Sequence, residues 1–449
     1  MMKNHRNTVF QVLYAAVLLL LGAGGMKLFF SPATRSVPHR EKLQFVCLAW
    51  QEKALETYKA LVAEWNRLHP ESQVEYVQGT WNSIHDYLIT GFETGDVPDV
   101  IHYESSAIID FAVRGYLEDL SPLISDDLKK DVQEVAWASV RRSNGSLSGV
   151  PILLESLLIL YSKDLFKEAG IVPPDMEHPW TWEDLRKAAR VLTKDTNGDG
   201  SIDQWGAGIG LRSSSNIIMN LTIGFGGSYF RKENGSYVVR MGEDETKLLS
   251  LLMDMMYKDS SLTTAGLGQS GPAMIPSFCA GKYAIQVGIG AWARQQLIQN
   301  APPGFHWGVL PPLKARTQQI GTSTETLSIP RASLHKREAM AFIEFLANRA
   351  NGARIASSDA MVPARSSCLA MPQFRTEDDG WKIAVESAKY LAVGDWVGAP
   401  GYIEWKSRVA NPILQELFSN RLTVMEAARR IEIESNIILS RYQSRDKRW

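Results

Sequence analysis

The sequence predicts an α/β protein built as two lobes, and three observations carry that expectation. A chain of 449 residues exceeds what one compact hydrophobic core accommodates. Strand-like and helix-like segments alternate along most of its length, the pattern of a parallel sheet with helices on both faces. The composition, 45% hydrophobic and 22% charged, is that of an ordinary globular protein. The formal net charge of −1 offers no basic face, so no nucleic-acid partner is expected. Three cysteines, Cys47, Cys279 and Cys368, make neither a disulfide framework nor a metal cluster. Cys47 alternates with Phe45 in a strand and reads as a small buried apolar residue, while a Cys279–Cys368 pairing stays open.

At the N-terminus, Lys3 and Arg6 precede an apolar run ending near Leu21, which reads as an export signal. Residues 1–33 are thus a signal peptide or, left uncleaved, an N-terminal membrane anchor, and 34–41 a linker. Removing 1–33 takes away Lys3, Arg6 and Lys27 and no acid, which turns −1 into −4. Either way the folded part is expected outside the cytoplasmic membrane, in the periplasm or at the outer cell surface.

Residues 42–50 (KLQFVCLAW) alternate as a first strand, 54–68 form an amphipathic helix, and 74–77 read as a second strand. A helix near 86–93 and a buried strand at 100–103 follow. Ligands of such sheets bind beyond the carboxyl ends of the strands. Those ends carry Trp50, Trp81 and the run Tyr103, Glu104, Ser105 and Ser106. An aromatic at each end suits stacking on sugar rings; the alternative is that the rings cover the sheet edge. With thirteen tryptophans in the chain, most are expected in the core.

Residues 144–205 are the most informative stretch. A polar turn (Asn144, Gly145, Ser146) leads through Gly149 and Pro151 to the apolar run Leu157, Leu158, Ile159, Leu160 and Tyr161, as in a strand buried on both faces. A short helix over 163–169 closes at Gly170, and Pro173 and Pro174 force an extended segment. Thr181 with Asp184 forms a variant capping box, opening a helix with Leu185, Ala188, Ala189 and Leu192 on one face. The loop DTNGDGSID then sets Asp195, Asn197, Asp199, Ser201 and Asp203 at alternate positions, the spacing of the first part of an EF-hand loop. Gly206 stands where the closing bidentate Glu belongs, so the loop is either a structural Ca²⁺ site or a polar turn.

The matches Gly149, Val150, Pro151, Tyr161, Lys163–Phe166, Ala169, Gly170, Thr181, Trp182, Asp184, Leu185, Leu192 and Thr193 fall in one order. In this the chain resembles the maltose-binding type of extracellular solute-binding proteins, the substrate receptors of ABC importers. Ser162, in place of an Asn, departs from the pattern, and no lipid-anchor Cys follows the N-terminal apolar run. The resemblance extends through Pro98, Asp99, Gly115, Leu117, Leu120, Gly226, Gly227, Phe278, Gly281, Lys282, Trp292, 339–346 and the Val362–Arg365 turn, so it spans roughly 43–438.

It implies a two-lobe periplasmic-binding-protein-like fold of type II, with several chain crossings as a hinge and a ligand cleft between the lobes. The expected division is 42–150 with 291–335 in the first lobe and 151–290 with 336–449 in the second. Glu155 takes the place of a carboxylate that bonds sugar hydroxyls, a strong acceptor for two vicinal O–H groups. Ser214 and Asn216, before the Gly-Gly pair, are expected to face the cleft. Trp292, after two glycines regarded as flexible and at a return to the first lobe, is expected to stack on the ligand. Ser323 lies in a small-residue turn at the last crossing, and Tyr402 or Trp396 completes the cleft.

The implied function is capture of a neutral carbohydrate, an oligosaccharide, by hinge closure of a monomer, with delivery to an ABC permease and no required cofactor. A receptor that presents its closed form to a membrane sensor kinase competes with that reading. So does a secreted glycan-active enzyme, although H-E-x-x-H, G-x-S-x-G and P-loop motifs are missing from the sequence.

Overall fold

The computed structural model describes residues 42–446, and the expected signal or anchor and its linker lie outside the described residues. In chain order the strands are β1 (Leu43–Cys47), β2 (Val74–Gln78), β3 (Val100–Glu104), β4 (Val150–Leu154) and β5 (Leu157–Ser162). They continue as β6 (Trp205–Gly208), β7 (Phe230–Glu233), β8 (Ser236–Val239), β9 (Tyr283–Gly290) and β10 (Trp307–Leu310). β11 (Ile320–Thr322), β12 (Thr324–Ser328), β13 (Val362–Pro363) and β14 (Leu391–Val393) complete the set.

Two sheets, each with its own apolar core, make the two lobes. One sheet has the order β13-β4-β12-β3-β1-β2, the other β10-β5-β9-β6. The first is mixed, not parallel as its alternation predicts: β1 pairs β2 and β3 in parallel, but β12 lies antiparallel between β3 and β4. The cause is connectivity, because β12 enters this sheet on a return from the other lobe.

Local sequence explains the main elements. Helix Glu52–Leu68 buries Ala54, Tyr58, Leu61, Val62 and Trp65, a single stripe at helical spacing. The Thr181 and Asp184 capping box is formed, and helix Trp182–Leu192 buries the apolar face read from the sequence. All six residues of β5 are buried, as a strand covered on both faces requires. Gly206 sits against that helix: a Cβ there would lie 1.9 Å from the Ala189 carbonyl oxygen. Close packing, not a metal, dictates this glycine.

The chain crosses between lobes three times, at Leu154 to Leu157, at β11 to β12, and after β14, which pairs in parallel with β11. These crossings correct the expected division of the chain. Residues 291–322 stay with the second lobe, where Ala293, Leu297 and Val309 pack on Leu158, Leu160 and Phe278. Residues 336–391 belong to the first lobe: Phe342, Ile355, Val362, Trp381 and Leu391 share a core with Phe45 and Tyr58. Only the segment from Trp396 onward returns to the second-lobe core. An amphipathic helix reveals that it packs, but not on which of two cores, and the expected division assigned these segments to the wrong one.

A buried arginine ties the lobes together. Arg294 opens helix Ala293–Asn300 of the second lobe and lays its guanidinium 4.0 Å from the ring centre of first-lobe Trp381. It donates to the carbonyl oxygens of Ala360 and Asp379, two non-glycine residues with φ of 52° and 53°. All three cysteines are free; Cys368 lies in the first-lobe core while Cys279 packs in the second lobe. Among the described residues no helix is long and apolar enough to cross a membrane.

Candidate functional site

The site lies where the strand ends of the first lobe meet the crossings and the second lobe. A cavity of about 260 Å³ is lined there by Trp50, Trp81, Glu104, Glu155, Asn216, Trp292 and Ser323, together with His102, Glu325, Asp359 and Met361. Seven of the eleven sequence-predicted ligand residues thus share one space.

Each is held by its element. Trp50 follows β1, and its ring meets that of Trp292 edge-on at 5.3 Å. Trp81 follows β2 and donates its indole N–H to the Leu48 carbonyl at 3.1 Å, which fixes the plane. Both rings remain about 40% exposed, unusual for Trp and available to a ligand. Glu155 lies between β4 and β5; its backbone N–H donates to the Ser323 carbonyl at 2.9 Å, and Thr322 Oγ1 donates to its carbonyl at 2.5 Å. Two of the crossings are therefore bonded to each other at the floor of the cavity.

The remaining predicted residues stand elsewhere. Tyr103 is 6% exposed in a small apolar cluster under Trp81, because odd and even positions of a strand face opposite sides. Ser106 lies in the first turn of helix Ser105–Val113, outside the lining. Ser214 is buried at the start of helix Ser215–Thr222. Tyr402 is buried between Phe230 and Trp405, and Trp396 is likewise core, filling the space over Gly394. The glycines before Trp292 are strand residues rather than flexible joints. A Cβ on Gly290 would lie 2.0 Å from Trp292 Nε1 and 2.6 Å from Glu155 Oε1.

Sequence reasoning missed the buried ionisable residues. Glu325 is at the amino end of β12, and because β12 runs antiparallel that end lies beside Glu104, its register partner, at the carboxyl ends of β3 and β4. Asp359 ends helix Arg349–Asp359 just before the turn at Ala360. A lone His in the apolar run of β3, and a Glu inside TETLS, were the available signals.

Electrostatically the cavity is acidic. Glu325 Oε2 is 3.1 Å from His102 Nε2, whose other ring nitrogen is 3.4 Å from Cys47 Sγ. Burial would lower the His102 pKa, but Cys47 and the Glu325 carboxylate outweigh it and raise it to about 10. Asp359 accepts from the Gln51 side-chain amide; burial pushes its pKa up to about 6 despite that bond. Burial, with Glu325, Asp359 and Glu104 nearby, pushes Glu155 well above the ordinary carboxylate range. Glu104 faces Lys406 of the second lobe at 3.9 Å.

A larger groove of about 750 Å³ runs beside the β7–β8 hairpin, lined by Ile109, Arg141, Arg142, Lys232, Tyr237 and Val397. It contains none of the predicted residues and no tryptophan.

In the loop from Asp195 to Asp203 the acidic oxygens are engaged by the loop itself. Asp195 accepts from the N–H groups of Asn197, Gly198 and Gly200, Asp199 from Ser201, and Asp203 from Thr196. Among the described residues no group of three or more His, Cys, Asp or Glu side chains is arranged to hold a metal ion. In this structure the loop holds its turns through carboxylate bonds to its own N–H groups.

Comparison with known proteins agrees with this architecture. Residues 49–353 match the family described as bacterial extracellular solute-binding protein. The chain is 36% identical over 414 residues to an uncharacterized lipoprotein of Streptomyces antibioticus, covering 92% of this chain and 88% of that one. It is 25% identical over 299 residues to the arabinooligosaccharide-binding protein of Bacillus subtilis, covering 64% and 65% of the two. The solved sugar-binding protein MalE of Xanthomonas citri shares the fold with a TM-score of 0.77 at 20% identity, over 91% of this chain and all of that one.

Proposed function

This chain belongs to the bacterial extracellular solute-binding proteins, and from that premise we propose that it captures a carbohydrate, an oligosaccharide or one end of it, between its lobes. The observation that carries the reading is the cavity wall: Trp50, Trp81 and Glu104 from one lobe, Asn216 and Trp292 from the other, and Glu155 and Ser323 at the crossings. Aromatic planes cover the C–H faces of sugar rings, while carboxylate, amide and hydroxyl groups take the O–H groups. The names of an arabinooligosaccharide-binding relative and a sugar-binding structural neighbour support the same class.

A ligand that touches both walls gains its full set of contacts only with the lobes closed. It therefore shifts the hinge equilibrium toward the closed form by its differential affinity for that form. The closed form then docks on the permease of an ABC importer at the outer face of the cytoplasmic membrane and hands over the sugar. The protein acts as a monomeric receptor and leaves its ligand chemically unchanged.

The test is a saccharide array read by tryptophan emission and thermal denaturation. A true ligand at a hundred times its Kd stabilises the fold by about 2.7 kcal/mol. Silence across the array in both measurements would remove the carbohydrate reading, and conversion of a bound sugar to product would replace the receptor by an enzyme.

A further inference from the structure

We propose that the cleft selects a saccharide bearing a protonated amine, an amino sugar within a short glycan, over wholly neutral sugars. The inference rests on the carbohydrate reading above and narrows it. Glu104, Glu155, Glu325 and Asp359 all line the cavity, and no Lys or Arg does. Their counter-charges can be assigned one by one. Lys406 stands 3.9 Å from Glu104, and His102 stands 3.1 Å from Glu325. Asp359 accepts from the neutral amide of Gln51 and feels the His102 charge only in common with Glu325. The side chain of Glu155 receives no hydrogen bond among the described residues, although Glu325, Asp359 and Glu104 all act on it electrostatically. Four carboxylates therefore share two cations, and among the described residues Glu155 and Asp359 are the two without an ion-pair partner.

A neutral sugar offers O–H donors to these two groups but no charge. Anions short of counter-charge and partly removed from water hold their protons more tightly, so in mildly acidic solution these two stay largely protonated beside a neutral ligand. An ammonium group supplies the missing charge with three N–H donors, and its bonds to carboxylates are the stronger kind. The indole faces of Trp50 and Trp292, both on the cavity wall, add cation–π attraction. Other groups packed around the carboxylates are Cys47 and Tyr58 behind His102 and Tyr103 beside Glu104, and none of these supplies a positive charge. Glu155 and Asp359 hold their protons more tightly than ordinary carboxyls in the free protein. Binding an ammonium therefore drives proton release, whereas binding a neutral sugar does not.

The experiment is calorimetric titration at pH 5, below the Asp359 pKa of about 6 and where the sugar amines are fully protonated, with α- and β-linked glucosamine oligomers of two to four units. Their N-acetylated and 2-hydroxyl counterparts serve as matched neutral probes, each run in two buffers of different ionisation heat. The expected result is at least tenfold tighter binding of the amine form, with net proton release for that form only. The preference should shrink in Glu155→Gln and in Asp359→Asn, either variant sufficing if the other fails to fold. Equal or tighter binding of the neutral forms overturns the amine selection and leaves the carbohydrate reading standing. No binding by any member overturns the amino-sugar proposal and leaves the carbohydrate reading to the saccharide array. A preference that survives both substitutions overturns the assignment to these carboxylates.

Discussion

Gly290 separates what holds the fold from what shapes the cavity, and Gly290→Ala is the substitution that uses this. The residue is buried in β9 opposite Leu157, with φ outside the left-handed region, so alanine is acceptable to the backbone. Replacing glycine by alanine inside a strand gains roughly 0.5–1 kcal/mol from lost freedom of the unfolded chain. The new methyl would sit 2.0 Å from Trp292 Nε1 and 2.6 Å from Glu155 Oε1, so the whole indole ring and the carboxylate must both shift. Displacing them breaks the edge-on contact of Trp292 with Trp50, worth about 0.5–1.5 kcal/mol. It also withdraws a carboxylate hydrogen bond from the ligand, worth about 1.5–3 kcal/mol. The first loss falls on stability, where it roughly offsets the gain from alanine; the second, about 1.5–3 kcal/mol, corresponds to a Kd weakened roughly 10- to 140-fold at 1.4 kcal/mol per decade. Stability should change by less than about 1 kcal/mol. Urea denaturation and titration of the tightest saccharide from the array measure the two quantities on one preparation. Affinity within threefold of wild type, in a variant of unchanged stability, would refute the placement of Trp292 and Glu155 against the ligand.

Three further outcomes are expected. The Asp359 pKa is raised from 3.8 to about 6, so the folded state holds a proton that the unfolded state has lost. Its contribution to stability is fully present below about pH 4 and declines as pH rises through about 6, by up to roughly 3 kcal/mol. Urea midpoints measured from pH 4 to 8 should show this fall, and Asp359→Asn should flatten it; an unchanged slope refutes the assignment. Arg294→Met strands the carbonyls of Ala360 and Asp379 and loses the stack on Trp381, costing about 2–4 kcal/mol by chemical denaturation. Arg294→Lys should recover little, since an ammonium lacks the planar fork that reaches both carbonyls. Millimolar Ca²⁺ or a chelator should move Tm by less than a degree, because the loop oxygens already serve backbone N–H groups; a rise of several degrees would establish a site there.

How much of this was legible beforehand depended on the physics behind each signal. Capping boxes, buried runs and amphipathic stripes are local, and Thr181 with Asp184, β5 and the helix of Ala54 to Trp65 appear as read. The rim tryptophans were legible because strand ends place ligands in α/β sheets, and Trp50 and Trp81 sit at two such ends. Tyr103 was misplaced for a related reason: a strand end names a location, while one residue of register decides which face a side chain occupies. Glu325 was illegible because the rule about carboxyl ends reverses for an antiparallel strand, and nothing local marks β12 as one. Asp359 depends on a contact with Gln51 across 308 residues of chain. The exchange of 291–322 and 336–391 between lobes has the same origin, since pairing partners are set by topology and not by periodicity.

The bond from the Glu155 amide to the Ser323 carbonyl has a consequence for anyone wishing to redirect this receptor. The polar groups at the base of the cavity are fastened to the same short crossing peptides that, on the proposed closure, act as the hinge. Altering them to suit a new sugar also alters how readily the molecule shuts, so affinity and opening rate change together. Trp50 and Trp81 follow β1 and β2, and Asn216 lies in helix Ser215–Thr222, outside the crossing peptides themselves. Variation confined to these three positions is the route by which taste can drift while the bite stays the same.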